Sequence, residues 1–268
     1  MNRVARADAK VLSPNPLAPL RNCTFRLIWL AAQVSSLGTL IQTVAIGWLM
    51  ATISNSDLTV ALVQASSTLP TFILSVLAGA IADNFDRRRI MLAAQCLMAT
   101  ASAMLTITIA LGFVDAWIIL SFSFLVGCGA ALNNPAWQAA VGDIVDRRDL
   151  PDAITLLSVG FNTVRSVGPA LGGVLVASFG VLTAFVVNTL SYLAPLGAIW
   201  CSTWKVRSSD LPRESLSAAI YDGVRFTAMS SEIKTSIARG TLFGLTGISI
   251  LALLPLVVRD QLTGGPIA

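Results

Sequence analysis

The stretch "GAIADNFDRRRI", residues 79–90, sets Asp83, Asp86, Arg87, Arg88 and Arg89 between two runs, 58–82 and 90–114, that carry no charge. Each flanking run is longer than the roughly 20 apolar residues that a membrane-crossing helix needs. The charge cluster therefore reads as a short loop between two spans. The same rule extends in both directions: further uncharged runs occupy 27–56, 116–142 and 240–258, and 153–204 is interrupted only by Arg165. The last of these is long enough for two helices, with a break at Ser178, Phe179 and Gly180. Seven spans are expected, over 27–50, 58–81, 90–111, 117–139, 153–177, 181–201 and 241–258. Continuous apolar runs without period-2 alternation exclude a transmembrane β-barrel.

Composition agrees. The chain is 55% hydrophobic and 12% charged, with a mean hydropathy of +0.76, whereas a soluble domain carries about 25% charged residues. The net charge of +4 is scattered over short loops rather than massed on one face, so no nucleic-acid partner is expected. Cys23, Cys96, Cys128 and Cys201 form no CxxC pair and histidine is absent, which argues against a disulfide framework or a zinc site; no cofactor is expected. No GxxxxGK[ST] stretch occurs, so no ATP-driven motor is expected in this chain.

Lysine and arginine set the orientation. With the N-terminus inside, 16 of the 18 basic residues fall on cytoplasmic segments; Arg259 is outside and Arg165 lies within a span. The expected organisation is a cytoplasmic segment over 1–26, a six-helix bundle over 27–201, a linker over 202–240 and a further membrane helix over 241–268. Within the linker, Leu216, Ile220 and Val224 recur at i, i+4 and i+8, the spacing of an amphipathic helix at the membrane face or of a partly ordered connection. Six spans, a linker and one more span look like a longer protein cut short.

Several residues stand out as candidates for chemistry. Asp83 follows the end of span 2 and Arg87–Arg89 open span 3, each at the helix end that its charge disfavours. Either the arginines serve only positive-inside anchoring, with nearby acids moderating them, or both groups answer to something outside their own helices. In span 5, "VGPALGGVL" (167–175) has Gly168 and Gly172 in the GxxxG spacing that lets helix backbones approach. Pro169 removes a backbone hydrogen bond there. Ser158, Asn162, Arg165, Pro169 and Gly172 step by four, three, four and three and share a face. Arg165 is the ionisable residue inside the spans, facing a cavity or gate, or else forming a structural ion pair or a snorkelled anchor. Ser35, Thr39 and Gln42 in span 1, and Asn133, Asn134 and Gln138 around Pro135 in span 4, are candidate cavity-lining groups. Trp29 and Trp48 at the ends of span 1 fit interfacial anchors.

On these residues the chain resembles the major facilitator superfamily. Gly79-x-x-x-Asp83-x-x-x-Arg87-Arg88 is similar to its loop between spans 2 and 3, except that Asn84 stands for a basic residue and Asp86 for a glycine. The resemblance implies a cytoplasmic gate latch, with Asp83 as its acid, Gly79 permitting close helix approach and Arg87 and Arg88 as basic partners. Gly168, Pro169, Gly172 and Gly173 resemble the span-5 motif of the superfamily's exporters. Asp143–Gly173 and Tyr221–Phe226 resemble its enterobactin-exporter-like, or transmembrane secretion effector, branch. The implied fold is an all-α membrane protein: a major facilitator-type six-helix N-terminal bundle plus one helix of an incomplete second bundle. The implied function is alternating-access efflux of a small molecule such as a drug or siderophore, from a bacterial plasma membrane, with protons as coupling ion. Span 1, however, offers Gln33 and Gln42 where some relatives carry coupling acids. The alternative is a fragment unable to transport. A seven-helix receptor fits less well, since it would place the N-terminus outside, and a retinal protein needs a lysine in a span, whereas Lys10, Lys205 and Lys234 all lie outside them. An intramembrane hydrolase lacks histidine, paired intramembrane aspartates and GxSxG.

Overall fold

Helix boundaries follow local chemistry. In the computed structural model, which describes residues 16–53, 57–204, 221, 225–244 and 246, a short 3-10 turn at Ala18–Arg21 leads into α1 (Cys23–Ile53). Then come α2 (Asp57–Asn84), α3 (Arg87–Ala110), α4 (Ala116–Ile144), α5 (Leu150–Phe179), α6 (Val181–Ser191) and α7 (Leu193–Cys201). No strand occurs among the described residues. After α3 the chain turns at Gly112, whose φ of +81° suits glycine. Asp115 then caps α4, accepting from the amides of Trp117 and Ile118 at 3.0 and 3.3 Å. The break expected at residues 178–180 is made by Gly180, with φ +83°.

The first six expected spans fall on these helices, with two differences. The sixth is broken at Tyr192 into α6 and α7. Pro195 lacks the amide that would donate to the Ser191 carbonyl; the Ser191 hydroxyl donates to the Asn188 carbonyl at 2.7 Å. The second concerns α5. Five helical stretches are long and apolar enough to cross a membrane: Cys23–Ile53, Ala65–Ala82, Arg87–Ala110, Ala116–Ile144 and Val181–Cys201. At 30 residues α5 has the length, but Arg165 and its serine, threonine and asparagine residues dilute its hydropathy.

Two apolar clusters hold the helices together. One gathers Phe25, Met91, Val141, Leu156 and Ile199, and the other Ile41, Met50, Leu105, Ile119 and Phe185. Glycines set the closest approaches. A Cβ on Gly127 of α4 would lie 2.6 Å from the Ser67 carbonyl oxygen of α2, and one on Gly129 would meet Met98 of α3. Many large apolar side chains point outward, among them Phe72, Ile73 and Val76 of α2 and Ile107 of α3. Such a surface matches lipid rather than water. The chain is a multi-pass membrane protein.

Contacts divide the chain into two units, 1–213 and 214–268. In the second, residues 225–229 and 231–244 are helical, joined at Ser230, whose hydroxyl accepts from the Ile233 amide at 3.4 Å. Leu216, Ile220 and Val224 of the expected amphipathic helix lie outside the described residues, as does most of the seventh expected span, 241–258.

Candidate functional site

The α2–α3 loop resolves its misplaced charges through long-range partners. Asp86 caps α3, its side chain accepting from the Arg88 amide at 3.0 Å, so the helix start has its own negative group despite three arginines. Arg87 reaches across to the end of α4, donating to an Asp143 carboxylate oxygen at 2.5 Å and to the Ala139 carbonyl at 3.2 Å. Arg88 donates to the carbonyls of Ile199 and Trp200 at 3.1 and 2.8 Å. Those are terminal carbonyls of α7, where a cation satisfies orphan acceptors and the helix dipole together. Arg89 points into open space and makes only a 3.7 Å contact with Asp86. Asn84, standing where the resembled loop has a basic residue, donates back to the Ala80 carbonyl at 3.0 Å. Asp83 lies in the last turn of α2, but its side chain is outside the described residues. A Cβ on Gly79 would meet no described atom within 4 Å, so no close helix approach occurs there among the described residues.

The other ends converge on the same face of the first unit. Asn22, just ahead of α1, donates to the Ile144 carbonyl at the end of α4 at 2.8 Å. The exposed Arg21, Arg26, Arg147 and Arg148 belong to these segments.

Along α5, the glycine motif splits between two faces. Gly168 and Gly172 pack on α1: their Cβ positions would lie 2.8 Å from Leu40 Cβ and 3.2 Å from Ile41 Cα. Gly160 continues this seam against Gln33, and Trp29, expected as an interfacial anchor, donates its indole N–H to the Leu156 carbonyl at 3.3 Å. Pro169 and Gly173 lie on the outer side, exposed. Gly172→Val is accordingly expected to cost about 2 kcal/mol by overpacking, whereas Gly173→Val changes stability by less than about 0.5 kcal/mol. Thermal unfolding of the two variants in one detergent checks this. Equal midpoints would mean that α1 and α5 do not cross at Gly172.

Arg165 is exposed on this outer side, with its guanidinium carbon 6.0 Å from the centre of the Phe161 ring. Asn162 is exposed as well and donates to the Ser158 carbonyl at 2.8 Å. A shallow groove beside them is lined by Ser158, Val159, Thr163 and Ser166.

The expected cavity-lining groups separate likewise. Ser35 and Gln42 are buried inside the packing of α1 with its neighbours. Gln42 accepts from the Ser102 hydroxyl at 3.1 Å and from the Asn188 amide; Ser102 and Thr106 each lie 2.9 Å from the Thr189 hydroxyl. Thr39 donates to the Ser35 carbonyl at 3.0 Å and meets the Tyr192 hydroxyl at 3.2 Å. These groups form a polar layer joining α1, α3 and the α6–α7 span. On α4, Asn133 accepts from Gln95 at 3.3 Å, while Asn134 and Gln138 are exposed. Sequence reasoning missed Asp143, Gln95, Ser102, Asn188 and Tyr192. Asp143 carried one legible signal, an acid at a helix C-terminus on the side of the basic loops; the others carried none.

Comparisons with known proteins add to this geometry. The model of a family described as transmembrane secretion effector matches residues 14–268. The staphyloferrin A transporter of Staphylococcus aureus is 24% identical over 230 residues, covering 85% of this chain and 57% of its own length. The multidrug efflux pump Tap of Mycolicibacterium fortuitum is 27% identical over 220 residues, 78% of this chain and 53% of its own. Macrolide efflux protein A of Streptococcus pyogenes is 22% identical over 258 residues, 91% and 60% respectively. The chain thus spans a little over half the length of these relatives.

Proposed function

This chain belongs to the transmembrane secretion effector family, within the major facilitator superfamily, and on that premise we propose that it forms one bundle of a secondary transporter that exports a small molecule by alternating access. The supporting observation is the lashing of the α2–α3 loop. Arg87 ties it to the end of α4 and Arg88 ties it to the end of α7. Three separate parts of the bundle are thereby joined at one face, which suits a bundle that rocks as a rigid body against a second one. In this reading that face is cytoplasmic, in accord with the arginine count, and the membrane is a bacterial plasma membrane. Gly79 and Asp83 complete the latch by engaging a second bundle, and Asn133, Asn134 and Gln138 flank the route of the substrate.

A drug or a siderophore as cargo follows the printed activities of the relatives, and proton antiport follows the resemblance. Expression of the complete reading frame in a pump-deficient bacterial host tests both. Ethidium accumulation is expected to fall below that of vector-bearing cells, and a protonophore is expected to erase the difference. Equal accumulation with and without the protein would sink export of that compound; export that survives the protonophore would sink proton coupling alone.

A further inference from the structure

We propose that Arg165 biases the charge of the cargo, so that the transporter favours an organic anion bearing a carboxylate over a cation of similar size. This rests on the export reading above. Arg165 stands about 22 Å from the start of α5 and about 21 Å from its end, at 1.5 Å per residue. With α5 crossing the membrane as the fifth expected span, this position is near mid-bilayer, and a single side chain does not bridge the half-thickness of about 15 Å to a headgroup layer. An anchoring role does not fit that depth.

A structural ion pair is no better supported. Among the described residues Arg165 makes no hydrogen bond and no ion pair; its guanidinium lies over the Phe161 ring. The nearest acid along its own helix, Asp152, is about 20 Å away by the same rise. The other acids among the described residues of the first unit lie at helix ends: Asp57 and Asp115 at one, Asp83, Asp86, Asp143, Asp146 and Asp149 at the other.

The neighbours on the exposed face sharpen the point. Ser158, Asn162, Thr163 and Ser166 each donate to the carbonyl four residues earlier, at 3.1, 2.8, 2.9 and 2.9 Å. The three hydroxyl hydrogens and one of the two Asn162 amide hydrogens are spent within α5, leaving the hydroxyls as acceptors. The Arg165 guanidinium alone offers a planar fork of unspent donors, and a carboxylate matches that fork in two parallel hydrogen bonds. A cation approaching the same face would meet like charge in a medium of low dielectric, where repulsion is strongest.

The test compares two probes, carboxyfluorescein and ethidium, exported by cells expressing the complete reading frame with matched protein levels. Loss of a charge-assisted hydrogen-bonded contact is worth about tenfold or more. Arg165→Gln is therefore expected to lower the ratio of carboxyfluorescein to ethidium export about tenfold, and Arg165→Lys to restore part of it. An equal fall for both probes would overturn the proposal in favour of an internal ion pair or a gating role, as would an unchanged ratio. Wild-type protein that exports ethidium but not carboxyfluorescein overturns the proposal while export itself stands; wild-type protein that exports neither sinks the export reading for these compounds and the proposal with it.

Discussion

Arg87→Ala is expected to destabilise the first unit by about 3 kcal/mol, because removing one member of a buried pair strands the other. The Asp143 side chain is only 4% exposed and that of Arg87 22%, so water does not readily replace the lost guanidinium. The same substitution frees the Ala139 carbonyl, which Arg87 also holds. Asp143→Asn is expected to cost less, since the amide oxygen can still accept from Arg87 and the guanidinium that loses its acid is the more exposed partner, at 22%. In the double variant the penalties are expected to fall short of their sum, giving a coupling of at least about 1 kcal/mol. Arg89→Ala, on a side chain 88% exposed, is expected to stay within about 0.5 kcal/mol. Thermal unfolding of the purified chain in detergent reads all four. If Arg87→Ala melts with Arg89→Ala, the ion pair contributes nothing to the bundle.

The second large effect is expected at Gly38→Val. A Cβ there would lie 2.8 Å from Ser191 Cβ and 2.9 Å from Asn188 Oδ1. Neither neighbour is the loose end of a long side chain, so α1 and α6 would have to part. Asn188 is fully buried and donates to Gln42 and to Ser102, the latter at 3.2 Å. Parting the helices therefore also breaks the polar layer and leaves amide groups without partners in an apolar setting. A loss of about 3 kcal/mol is expected, at the upper end of ordinary overpacking. Gly47→Val, on the same helix, is the control: a Cβ there meets nothing within 4 Å. Indistinguishable melting of the two variants would rule out the α1–α6 crossing at Gly38.

Much of the fold was legible because its signals are local. Residue transfer into lipid depends on each side chain's own polarity, so apolar runs located the spans, and Gly180 was readable as a break from its neighbours alone. The exceptions have local causes that a run-length reading does not weigh. Pro195 splits the sixth span at Tyr192, and the polar content of α5 lowers its apolarity without shortening the helix. The candidate site was less legible. Helical periodicity put Gly172 on one face with Ser158, Asn162, Arg165 and Pro169, but the packing against α1 takes Gly172 inward and leaves the other four outside. Ser35, Thr39 and Gln42 share a face as expected, yet that face meets other helices of the bundle.

The sequence by itself determined the membrane, the helices, the basic loops at one face and the kinship of the chain. Those follow from composition, from hydrogen bonds within each helix, and from residue spacing along a single strand of text. Only the tertiary structure decided that Arg87 meets Asp143, 56 residues away, that Arg88 caps α7, and that Gln42 bonds Ser102 and Asn188. Spacing along a helix says which side chains point the same way; which helix stands opposite them depends on how all the helices pack at once.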